Sequence, residues 1–156
     1  MCQWFDSTHH HNSIPLNTLL MKTGDNAFKF DRVLLIDDND IDNFINERMI
    51  TTTSFSKTVT VKNSADVALQ FLKSCDNDVA KLPQVIFLDL NMPVMDGFGF
   101  LEEYDRLGDT IKKFCRVIVL SSSISPEDIN RASTNPFVVK YINKPLNEKY
   151  LDAINF

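Results

Sequence analysis

The chain has 156 residues, with 16 Lys and Arg against 21 Asp and Glu and a formal net charge of −5. That balance argues against nucleic acid as the main partner, because such binding rests on neutralising phosphates. Hydrophobic residues at 44% and charged residues at 24% fit one ordinary globular domain, whose usual size is roughly 100–150 residues. Cys2, Cys75 and Cys115 are odd in number and widely spaced, so they read as thiols in a reducing compartment, not as a disulfide framework. No apolar run approaches the roughly 20 residues that span a bilayer, and no basic-then-apolar leader opens the chain. The expected location is cytoplasmic, away from membranes.

Residues 1–30 show neither helical nor alternating periodicity and mix Ser, Thr, Asn, Gly and His, which predicts a flexible N-terminal arm. Met21 offers an alternative start within it. The adjacent imidazoles of His9, His10 and His11 are poorly arranged for holding a metal. From Asp31 a repeating order begins. Apolar runs at Val33–Ile36, Val85–Leu88, Val117–Leu120, and Phe137–Val139 with Tyr141 and Ile142 read as strands buried on both faces, the habit of parallel sheets. Thr58–Val61 alternates polar and apolar, as an edge strand would. Between the runs lie amphipathic patterns. Ile41, Phe44, Ile45 and Met49 predict a first helix with that stripe inward. Ala65, Ala68, Leu69 and Leu72 predict a second after a cap at Asn63 or Ser64. Phe100, Tyr104 and Leu107 predict a third ending at Gly108. Ser125-Pro126-Glu127-Asp128 carries the start signals of a fourth helix, and Leu151 and Ile154 form the inner face of a short fifth. Strands alternating with helices predict a doubly wound α/β fold, a five-stranded parallel sheet in the order 2-1-3-4-5.

In such sheets ligands bind beyond the carboxyl ends of the strands, near the switch point. The first run ends in Asp37 and Asp38, the third in Asp89, the fourth in Ser121, and the fifth in Lys144 after Asn143. An acid after a strand is often only a helix cap, but capping does not call for a third convergent Asp or a Lys. Crowded carboxylates repel, and a divalent cation relieves them; all-oxygen ligation favours Mg²⁺, with Mn²⁺ as an alternative. A metal held by acids beside a Lys and a hydroxyl is an anion site with a nucleophile in it, and a phosphoryl group is the simplest anion. No glycine-rich phosphate loop supports nucleotide binding, and no nucleophile elbow is present.

The segments Leu34-Leu-Ile-Asp-Asp-Asn39, Ile86-Phe-Leu-Asp-Leu-Asn-Met-Pro-Val-Met-Asp-Gly97, Val117-Ile-Val-Leu-Ser-Ser122 and Tyr141-Ile-Asn-Lys-Pro145 together resemble the receiver domain of two-component response regulators. The resemblance covers residues 31–156 and implies the flavodoxin-like fold. It implies that Asp89 is the phosphoacceptor, charged from the phosphohistidine of a sensor kinase or phosphotransfer protein. Asp37 and Asp38 match the acidic pair that holds Mg²⁺, and Asn91 matches the residue whose backbone carbonyl completes the metal shell. Ser121 and Lys144 match the hydroxyl and amine that bind the phosphoryl group. The bond between Lys144 and Pro145 is expected to be cis. Tyr141 matches the aromatic switch residue, expected to rotate inward from an exposed rotamer and so alter the surface read by a downstream protein. No output domain is expected to follow, so the resemblance implies a single-domain regulator like those of chemotaxis and phosphorelays, as a monomer or weak dimer.

Two other functions compete with a signalling phosphoacceptor. An aspartate-nucleophile phosphatase would pair Asp89 with an acid two residues on, where this chain has Asn91, which transfers no proton. A degenerate receiver acting only as a binding module would not need the intact acids, Ser121 and Lys144.

Overall fold

A computed structural model of the protein describes residues 27–156. The histidine triplet, Met21, Cys2 and most of the arm expected at 1–30 lie outside the described residues. Five strands, β1 (Phe30–Ile36), β2 (Ser56–Lys62), β3 (Val85–Leu88), β4 (Arg116–Ser121) and β5 (Val138–Asn143), form one parallel sheet in the order β2-β1-β3-β4-β5. The helices are α1 (Asp40–Thr52), α2 (Ala65–Ser74), α3 (Gly97–Asp105), α4 (Asp109–Phe114), α5 (Pro126–Ser133) and α6 (Glu148–Asp152).

Alternate residues of a strand point to opposite faces, so each apolar run feeds two cores. Leu34, Ile36, Ile86, Leu88, Val117 and Val119 pack with residues of α2, α3, α4 and α5 on one face. Val33, Leu35, Val85, Phe87, Ile118 and Leu120 pack with Ile50 of α1 and Leu151 of α6 on the other. This division makes the sheet doubly wound. The strand beginning at Phe30 is tied to the chain's far end. The Lys29 ammonium donates to the carbonyls of Leu151 and Asp152 at 3.1 and 3.0 Å. The Phe30 ring lies 5.8 Å from that of Phe156.

Helix starts follow their capping residues. Asn39 Oδ1 accepts from the amides of Ile41 and Asp42, both at 3.0 Å, and Ser64 Oγ accepts from Val67 N at 3.3 Å. Ser125 caps α5 with Pro126 in its first turn.

Two expectations are corrected. The stripe Ile41, Phe44 and Ile45 does not face inward: these residues are 70%, 67% and 46% exposed, while Asn43, Asn46 and Ile50 are buried. Apolar spacing gave the helix but set its phase wrongly, because the first turns of α1 sit over the polar end of the sheet. There the Asn43 amide donates to the Asp37 carbonyl at 2.7 Å. Gly108 is likewise not the end of α3. That helix stops at Asp105 with Arg106 as its C-cap, and Gly108 instead precedes α4, a short helix that buries Ile111, whose carbonyl accepts from the Tyr104 hydroxyl at 3.4 Å.

Candidate functional site

The sheet places four candidate residues at one edge. Ladder bonding continues one residue past three strands: Asp37 N donates to Lys62 O at 3.2 Å, Asp89 N to Ile36 O at 2.9 Å, and Lys144 N to Ser121 O at 3.0 Å. Each functional backbone position is thereby fixed by its neighbouring strand. Asp37, Asp89 and Ser121 are buried, Lys144 is half-buried and Asp38 is exposed. The peptide bond between Lys144 and Pro145 is cis.

The turn from β3 into α3 requires a glycine. A Cβ at Gly97 would lie 2.6 Å from the Asp89 carbonyl oxygen and 2.8 Å from Leu90 Cα, both rigid backbone. Its absence lets Gly97 N donate to Leu90 O at 2.9 Å, and Asp96 caps the helix through Gly99 N at 2.8 Å. The Asp96-Gly97 pair is therefore a packing device that holds α3 against the end of β3.

Carboxylate oxygens of Asp37, Asp38 and Asp89 all lie within 4.8 Å of one another. Three hard oxygen donors in that volume, opening outward at the exposed Asp38, fit a divalent cation such as Mg²⁺ or Mn²⁺. Asn91 is exposed two residues beyond Asp89, and its backbone N–H works to lower the Asp89 carboxyl. The Lys144 ammonium donates to Asp37 Oδ2 at 2.6 Å and to Asp42 Oδ2 at 2.8 Å, and lies 3.5 Å from Asp89 Oδ1.

These surroundings set the protonation equilibria. Burial pushes the Asp89 carboxyl up to about 6; the Lys144 charge pulls it down and the Asp37 charge adds to the rise. For Lys144 burial works to lower the ammonium, but its bonds to Asp37 and Asp42 outweigh that and hold it above its usual range.

Tyr141 stands on β5 beside Val119 of β4 and differs from the expected exposed rotamer. It is half-buried against the core, and its hydroxyl donates to the Ser123 carbonyl at 2.8 Å. The same carbonyl accepts from Asn143 Nδ2 at 3.0 Å, and Ser123 N donates to Ser121 Oγ at 3.1 Å. Ser123 thus connects Ser121 to Tyr141, a link that the sequence reading missed along with Asn143, Asn43 and Asp42. Asp42 carried one legible signal, an acid one helical turn beyond Asp38.

Fold and edge together define a class: an α/β sheet whose switch point presents acids, a hydroxyl and a lysine. Residues 33–155 match the response regulator receiver domain, and the chain belongs to that family of two-component signalling proteins. A two-component response regulator from Cytophaga hutchinsonii is similar over 78% of this chain and 91% of its own, with 32% identity and a TM-score of 0.72. The Mn(2+)-bound form of response regulator Rcp1 matches over 78% of this chain and 86% of its own, at 25% identity and a TM-score of 0.62. A probable methanogenesis regulatory protein, FilR2 of Methanothrix harundinacea (strain 6Ac), is 29% identical over 114 residues, 73% of this chain and 72% of that protein. Among the described residues no helix is long and apolar enough to cross a membrane.

Proposed function

We propose that the protein accepts a phosphoryl group on Asp89 from the phosphohistidine of a sensor kinase or phosphotransfer protein, with Mg²⁺ or Mn²⁺ held by Asp37, Asp38, Asp89 and the Asn91 carbonyl. The observation that carries this reading is the convergence on Asp89 of two further acids within 4.8 Å and the Lys144 ammonium at 3.5 Å. In the step itself an Asp89 carboxylate oxygen bonds to phosphorus as the phosphorus–nitrogen bond breaks, and the electron pair leaves with the imidazole. A bound divalent cation supplies charge neutralisation at the transferring oxygens. Lys144 adds a second positive charge from the β5 side. Ser121 contributes its hydroxyl proton, which is free for a phosphoryl oxygen because its Oγ only accepts from Ser123 N. The Mn²⁺-bound relative supports the metal assignment.

The surroundings of the site suit a protein donor. Three elements at its rim each expose an aliphatic side chain: Ile41 at the start of α1, Val94 after β3 and Ile124 after β4. With Phe44 and Ile45 they offer an apolar surface that a helical phosphohistidine protein can cover, excluding water from the transfer. On the output side, drawing Ser121 toward the phosphoryl group pulls Ser123 and releases or repositions Tyr141. The face formed by α5, β5 and α6 then presents a different surface to a downstream protein.

Incubation with acetyl phosphate and Mg²⁺, followed by intact mass measurement, tests the reading. The wild type should gain one phosphoryl group, labile to hydroxylamine, and Asp89→Asn should gain none. Equal labelling of the two would overturn the assignment.

A further inference from the structure

The Asp42 side chain lies outside the acid trio and has one partner among the described residues, the Lys144 ammonium at 2.8 Å. An ammonium has three N–H donors. Asp37 and Asp42 take two of them at 2.6 and 2.8 Å, and the distance left to Asp89, 3.5 Å, exceeds an effective hydrogen bond. Lys144 therefore rests nearer to Asp42 than to the nucleophile. The cap at Asn39 fixes this placement, setting Asp42 in the first turn of α1, where it faces the residue after β5. Charge makes the placement consequential. Three carboxylates, those of Asp37, Asp42 and Asp89, lie within 3.5 Å of one ammonium and Asp38 stands beside them, so an arriving phosphoryl group of roughly −2 meets one more negative charge than the trio and Lys144 alone would leave.

We propose that Asp42 is a positioning residue that competes with the phosphoryl group for Lys144, holding the ammonium away from phosphorylated Asp89 and so weakening the phosphorylated state. This rests on the phosphoacceptor reading of Asp89. The opposite role, an anchor that delivers Lys144 to the phosphoryl group, would place the ammonium closer to Asp89 than to Asp42, and the distances run the other way.

The two roles separate in binding measurements on the full chain. In Asp42→Asn, Mg²⁺ alone should bind more weakly than in wild type, because a negative charge is gone and Lys144 turns to Asp37 and Asp89. Beryllofluoride, added at saturating Mg²⁺ as a phosphoryl mimic, should bind about 2–5-fold more tightly, the scale of one partly exposed ion pair. Asp42→Glu, which restores the charge, should return beryllofluoride affinity toward wild type. A loosened fold or a lost anchor would weaken both ligands together, and either result overturns the proposal, as does unchanged beryllofluoride affinity. If Asp42→Asn melts before the titration, Asp42→Ser takes its place with the same expected split. Failure of the wild type itself to bind beryllofluoride would instead overturn the phosphoacceptor reading.

Discussion

Burying the Asp89 carboxylate raises its pKa to about 6 from an ordinary 3.8, so the metal-free native protein holds that proton more tightly than the unfolded chain does. The sign of the linkage follows. Above about pH 6 the charged, desolvated carboxylate costs stability, and the cost is relieved as pH falls from about 6 toward about 4. Asp89→Asn removes the cost, so in EDTA the variant should melt above wild type at neutral pH. Its advantage, on the order of 1–3 kcal/mol at neutral pH, should shrink at about pH 5. Melting curves at the two pH values would show this; an equal advantage at both would mean that desolvation of Asp89 is not the source. Gly97 makes a second residue-level prediction. Because an added Cβ meets the Asp89 backbone at 2.6 Å, Gly97→Ala should cost about 1–3 kcal/mol and slow phosphorylation together. Chemical denaturation and acetyl phosphate labelling would measure the two effects.

Among the elements α1 is the most instructive, since it wears three of its apolar residues, Ile41, Phe44 and Ile45, outside. Phe44→Ser should leave stability within about 0.5 kcal/mol, whereas Ile50→Ala, truncating a fully buried side chain, should cost about 2–5 kcal/mol. Urea unfolding of both variants checks the assignment of faces, and Phe44→Ser should also slow transfer from a phosphohistidine donor more than from acetyl phosphate. The same helix shows where the sequence was legible. Strand runs buried on both faces announce themselves, so sheet and order could be read directly, and Asp37, Asp38, Asp89, Ser121 and Lys144 followed from where those runs end. The face of α1 could not be read from apolar spacing, because a buried asparagine on it is held by a tertiary contact that spacing does not announce: the Asn43 amide donates to the Asp37 carbonyl. Helix α4 escaped notice because six residues with one buried side chain, Ile111, carry too little periodicity to register. The Ser121–Ser123–Tyr141 link depends on backbone carbonyls and amides, which every residue type supplies alike.

At the scale of the whole molecule, acids gathered at one edge of the sheet couple ligand binding to folding. An ion that binds the native state and not the unfolded chain stabilises by mass action, about 2.7 kcal/mol at a hundred times its dissociation constant. Mg²⁺ should therefore raise the melting temperature in a concentration-dependent way and EDTA should reverse it, while Asp38→Asn should flatten the response; a melting temperature indifferent to Mg²⁺ would remove the case for a cation site. At the opposite end of the sheet, Lys29 holds the carbonyls of Leu151 and Asp152, and Phe30 lies against Phe156. The two ends of the fold are thus neighbours, on the edge away from the acids. A short peptide could join them, and new termini could be opened in the turn between α2 and the β3 strand without severing any strand from its pair. Such a circular permutant should keep its labelling by acetyl phosphate, read by intact mass, because the cut lies away from the strand ends that carry Asp37, Asp89 and Lys144.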